Sequence, residues 1–108
     1  MKTKAILVAL AVHVMISVAW AAVVHLKYSL SANTSYSIVA EANRQRIVIQ
    51  NLSAAESIWV APGEDTATVG ASIRVLPLKS FAGDYDSDVP IAVIASTAQD
   101  ILIVQKGG

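Results

Sequence analysis

The sequence predicts an all-β domain, a small antiparallel β-sandwich of jelly-roll-like or immunoglobulin-like type, preceded by an N-terminal hydrophobic helix. Three observations predict it. Residues Ala5–Leu26 form an almost unbroken apolar run behind Lys2 and Lys4. From about Val24 onward the period changes to short alternating stretches rich in Val and Ile, separated by polar turns. After residue 30 there is no helical stripe of useful length, so βαβ units are excluded and a sandwich or barrel is favoured.

The N-terminal run has two readings. In one, Lys2 and Lys4 form a positive region, Ala5–Ala19 is the apolar core of a signal peptide, and Ala19-Trp20-Ala21 supplies the small residues of a cleavage site after Ala21. In the other, Ala5–Leu26 is a retained anchor, about 33 Å long as a helix and able to contact or cross a membrane. The chain thus divides into residues 1–21, signal peptide or anchor, and residues 22–108, the β domain. The expected location is exported, periplasmic or extracellular, or in a virion, and membrane-anchored if residues 1–21 stay. His13, inside the run, reads as a tolerated polar residue rather than an intramembrane proton site.

The strands follow in order. Val24, Leu26, Tyr28 and Leu30 alternate with His25, Lys27 and Ser29. Further strands are expected at Tyr36–Ala40, Arg46–Gln50, Ser57–Val60, Ile73–Leu78, Ile91–Ala95 and Ile101–Gln105, with a weaker one near Ala67–Val69. Turns are marked by Ser31–Ser35, Asn51-Leu52-Ser53, Pro62–Asp65 and Ala82-Gly83-Asp84. Pro90 suits the start of its strand, and Pro77 implies that Ile73–Val75 pairs while Leu78 turns away. Ile47 and Ile49 are expected to face the core.

Composition narrows the function classes. The whole chain has eight basic and eight acidic residues. Without Lys2 and Lys4 it is slightly acidic, so phosphate neutralisation of nucleic acid is not expected. There is no cysteine, hence no disulfide and no thiol nucleophile. His25 is the one histidine left after residue 21, too few for a zinc set or a serine triad with a visible base-orienting partner. No catalytic or cofactor-binding residue is expected, no cofactor is implied, and the protein reads as not an enzyme. Asp84-Tyr85-Asp86-Ser87-Asp88 alternates acids as a calcium loop does, yet Val89 and Ala95 stand where an EF-hand needs Gly and Glu. A looser calcium site or a solvated acidic tip are the alternatives. Asn33-Thr34-Ser35 and Asn51-Leu52-Ser53 match the glycosylation pattern but read as turn asparagines. Trp59 and Tyr36 are candidate interaction aromatics, set against cross-strand packing. Val24, Leu26, Tyr28 and Leu30 are the candidate interaction face of a strand able to add to a neighbour's sheet edge.

The run Arg44-Gln45-Arg46-Ile47-Val48-Ile49-Gln50-Asn51-Leu52-Ser53 resembles a pattern of small bacteriophage structural proteins, as do Ile58-Trp59-Val60 before Pro62-Gly63, Pro90–Ser96 and Ile101–Val104. The resemblance spans roughly Ser35 to Lys106 and departs from the family at Pro77-Leu78, where a Pro-Gly turn is usual. It implies a non-enzymatic virion component of head-decoration, minor capsid or tail-spike type, with a virion shell or a homo-oligomer as partner. The alternative is an exported bacterial surface module binding a glycan or protein.

Overall fold

The computed structural model describes residues 23–107. The expected N-terminal helix, the cleavage site and most of the anchor segment lie outside them. Among the described residues there is no helix, and so none long and apolar enough to cross a membrane.

Eight strands follow one another along the chain: β1 (Val23–Leu30), β2 (Tyr36–Ser37), β3 (Arg44–Asn51), β4 (Ile58–Pro62), β5 (Ile73–Val75), β6 (Ser80–Gly83), β7 (Ile91–Ala95) and β8 (Gln99–Gly107). They form two antiparallel sheets, ordered β1-β8-β3-β6 and β2-β7-β4-β5. The chain changes sheet after β1, β2, β3, β5, β6 and β7, which winds it around one core. Short turns join β1 to β2 and β5 to β6, so one side of the sandwich is bordered by β1 and β2 and the other by β6 and β5.

The inner faces interdigitate branched residues. Ile47 and Ile49 of β3, Ile101 and Ile103 of β8, Ile58 and Val60 of β4, and Ile91 and Val93 of β7 are fully buried. The expected inward orientation of the two β3 isoleucines holds. β7 is buried along its whole length because both its faces are covered. Its outer face, Ala92 and Ile94, packs with Ala61, Ala67 and Trp59 under the segment 63–72. That segment is a loop, not the weak strand expected near Ala67–Val69. Gly63 and Gly70 bound it with φ of 82° and 81°, a region glycine enters without strain.

At two places the structure departs from the sequence expectation. Ala82-Gly83 is not a turn but the end of β6, paired with Ile47 and Val48. Glycine leaves room there for the Tyr85 ring, which lies where a Cβ would project. Arg44 belongs to β3 and not to the preceding loop. The register with β8 slips between Arg44 and Arg46, so Gln45 forms a bulge. Strict alternation would put Arg44 on the outer face with Arg46; the bulge turns it inward. Pro77 acts as expected: β5 stops at Val75 and the chain turns at Leu78.

Candidate functional site

Two buried polar networks account for the conspicuous residues of the sequence. Arg44 is 1% exposed. Its Nε donates to Tyr85 O at 3.1 Å, and its Nη2 to Asp86 O and Val89 O, each at 2.7 Å. Its Nη1 donates to Gln105 Oε1 at 3.1 Å. Gln105 Nε2 in turn donates to Val39 O, and its Oε1 also accepts from the Glu41 N–H. Burial pulls the Arg44 pKa below the ordinary guanidinium value, opposed by the Asp86 charge. Asn51 is the second hub. Its Nδ2 donates to Glu56 O at 2.7 Å and to Val75 O and Leu76 O at 3.3 Å. Its Oδ1 accepts from the Ser53 N–H and from Gln99 Nε2. These networks tie the 84–89 loop and the 53–56 turn to the sheets.

Arg44 and Asn51 are thus architectural. The acidic loop is held by its carbonyls, and among the described residues no three of His, Cys, Asp and Glu gather to hold a metal ion. Asp84, Asp86 and Asp88 are not brought together; Asp84 instead accepts from Arg46 at 2.8 Å. Asn33 is a turn asparagine with φ of 53°, whereas Asn51 ends a strand fully buried, which no glycan could reach.

Trp59 does face outward on β4, but it is half-buried against Ala61, Ala67, Ala92 and Ile94. The packing reading describes it better than a free interaction aromatic. Beside it, β5 pairs β4 only at Ile58–Val60. Past Val60, where this pairing stops, Ala61 and Pro62 border a shallow cleft of about 430 Å³ lined also by Val60, Glu64, Ser72 and Ile73.

The other candidates fall together on the β1 edge. Val24, Leu26, Tyr28 and Leu30 share one face of β1, and their neighbours on β8 are Gln105, Ile103, Ile101 and Gln99. Leu30 is core. Tyr28 stacks on Tyr36 with ring centroids 3.7 Å apart and planes 11° apart, closing the gap between the two sheets at that side. Burial, then the neighbouring Tyr28, raises the Tyr36 pKa. Beyond this lock the side opens: Val23 and Leu26 are each 45% exposed, and Val24 and Val39 are exposed too. His25 and Lys27 lie on the outer face. Lys27 meets Asp100 at 3.4 Å, and Ser29 Oγ donates to Asp100 at 2.7 Å.

The Ser29 hydroxyl first, and Lys27 second, hold the Asp100 carboxyl below the usual range. A folded-state pKa below the unfolded one gives stability that is present above the ordinary carboxylate range and lost as pH falls through the folded value. Ser29→Ala should therefore raise the Asp100 pKa toward an ordinary aspartate, measured by NMR titration of its carboxyl carbon. An unmoved titration would show that Ser29 does not hold the charge.

No protein-family model matches the sequence, and neither does any curated protein. Solved structures do match in fold. A conserved protein of unknown function from Streptococcus pyogenes superposes with a TM-score of 0.54 at 16% identity, over 80% of this chain and 65% of that one. The Streptomyces albus enzyme HEPD, solved with its substrate 2-hydroxyethylphosphonate and Fe(II) bound, gives 0.59 at 14%, over 80% of this chain and 18% of that one. An RmlC-like cupin from Shewanella frigidimarina gives 0.54 at 12%, over 80% and 67%. The chain therefore spans less than two thirds of the first two. These likenesses overturn the resemblance to bacteriophage structural proteins and the virion function drawn from it. The residues behind that resemblance, Arg44, Asn51 and Ser53, are pins of the sandwich and serve its architecture. The reading as a non-enzyme is corrected too, since the fold houses a catalyst in HEPD. Its Fe(II) does not fit here: the space between the sheets is filled by Ile and Val, and His25, the one histidine described, stands exposed on β1. What the chain shares with these structures is the fold, a cupin-like arrangement of antiparallel strands.

Proposed function

We propose that this cupin-fold domain is a self-associating one, and that β1 is the edge through which copies assemble. The observation that carries this is the β1 edge itself. It is eight residues long, is paired on one side only among the described residues, and has neither proline nor bulge. Val23, Val24 and Leu26 are exposed along it. Natural sheets usually blunt such an edge with inward charges, proline or a bulge, because an unblunted one pairs with another chain. Here Lys27 is the one charged side chain on the strand, and it leans onto Asp100. The absence of disulfides leaves assembly as an available route to added stability for so small a core.

Because β1 is paired with β8 over its full length and buries Leu30, deleting it would unfold the sheet. A side-chain change is the cleaner test. Light scattering of the full chain should show an oligomer at micromolar concentration, and Leu26→Glu should shift it toward monomer by about tenfold or more in dissociation constant. A wild-type chain that stays monomeric over that range would overturn the proposal.

A further inference from the structure

The turn between β5 and β6 holds a residue that folding alone does not ask for. Leu76-Pro77-Leu78-Lys79 closes with the Lys79 N–H donating to Leu76 O at 3.1 Å. Leu78 occupies the third position with φ of 60°, where glycine is at ease and a branched side chain is strained. The strain is not compensated by packing, since Leu78 is 58% exposed and Leu76 beside it 49%. Strain kept at an exposed apolar position points to a contact outside the chain.

We infer that this corner belongs to a receiving edge, formed by β6 and β5, that takes the β1 edge of a second copy. The inference rests on β1 being the association edge proposed above, and it names the surface β1 meets. Direction allows it. The order β1-β8-β3-β6 is antiparallel throughout, so β1 and β6 run in opposite senses. A copy related by rotation about an axis parallel to the strands then sets its β1 antiparallel to β6 and continues the sheet.

Register allows it as well. Following the pairs across the sheet, Leu26 lies level with Phe81, and Lys27 with Ser80. Core-side residues therefore meet core-side residues in the joined sheet. Lys79, the end of the turn, is level with Tyr28, so Leu76 and Leu78 arrive beside the Tyr28–Tyr36 pair of the next copy.

Charge disfavours one central register of a two-fold pairing of β1 with β1. The register of such a pair that sets Lys27 opposite Lys27 of the second copy puts like charges together, which destabilises it. By contrast, the β6 register sets Lys27 of the second copy level with Ser80, which carries no charge.

The chain has no cysteine, so engineered ones report cleanly. In the full chain, Lys27→Cys combined with Ser80→Cys should be joined between copies by a short bis-maleimide, while Lys27→Cys alone should not. Leu78→Gly should weaken association about tenfold or more, yet raise the urea midpoint of the dilute monomer, because it relieves strain while removing a contact. Joining of Lys27→Cys alone, with association of Leu78→Gly unchanged, would overturn this inference and leave β1 as the association edge. A chain that never associates would remove both.

Discussion

Replacing Arg44 with methionine should destabilise the domain by about 3–5 kcal/mol, the cost expected when one member of a buried charged network is removed. The reason lies in what would be left behind. The carbonyls of Tyr85, Asp86 and Val89 and the amide oxygen of Gln105 all accept from this one guanidinium. Methionine fills much of the same space but donates nothing, so several acceptors lose their partner inside the fold. Stabilities of small domains are about 5–15 kcal/mol in total, so the variant would stand near the edge of folding. Urea denaturation measures the loss. A change below about 1 kcal/mol would mean that water reaches those carbonyls, and that the 84–89 loop does not depend on Arg44.

The second large effect is expected at Ile49→Ala, about 2–5 kcal/mol. Ile49 is fully buried between Ile103 of β8 and Phe81 of β6. Neighbours that belong to three paired backbones cannot collapse far into the void, so the transfer loss and the cavity add. Val48→Ala, next along the same strand but half-buried on the other face, is the matched control and should cost clearly less. Comparable losses at the two positions would mean that the strand register is wrong by one residue. An unchanged denaturant slope would confirm that both variants unfold from the same compact state.

The two effects differ in how far the sequence announced them. Ile47 and Ile49 flank Val48 in a run whose period of two can mean only a strand, so their inward orientation was legible. Arg44 was conspicuous in the sequence as the opening of Arg44–Ser53, but it read as a family mark. Its role depends on a one-residue bulge at Gln45, and a bulge leaves no trace in hydrophobic alternation. Asn51 likewise looked like a turn residue with a glycosylation pattern. Its five hydrogen-bond partners lie on segments 53–56, 75–76 and Gln99, which only the closed sandwich brings together.

Of the candidate site, Val24, Leu26, Tyr28 and Leu30 were readable as one face of a terminal strand. That Tyr36 would lie flat on Tyr28 was not, since both were singled out separately and they meet across the gap between two sheets. Trp59 was readable as outward-facing, yet its partial cover comes from the 63–72 loop, which has no periodicity to announce where it lies.

The sequence by itself determined the class of this protein. Short branched strands, polar turns, the absence of cysteine and the absence of helical periodicity leave little besides a β-sandwich, because a period of two with apolar residues on one face must be buried against a second sheet. It also determined where the chain turns, through Pro62-Gly63 and Pro77. The tertiary structure alone decided the strand order, the inward Arg44, the extension of β6 through Gly83, and which apolar residues stay exposed on opposite sides of the sandwich. Each depends on pairings between segments distant along the chain, for example Lys27 with Leu102 and Gln50 with both Leu102 and Ser80. Local patterns record what each residue prefers but not which partner it meets, and here the partners settled the strand order and which strands border the described sheets.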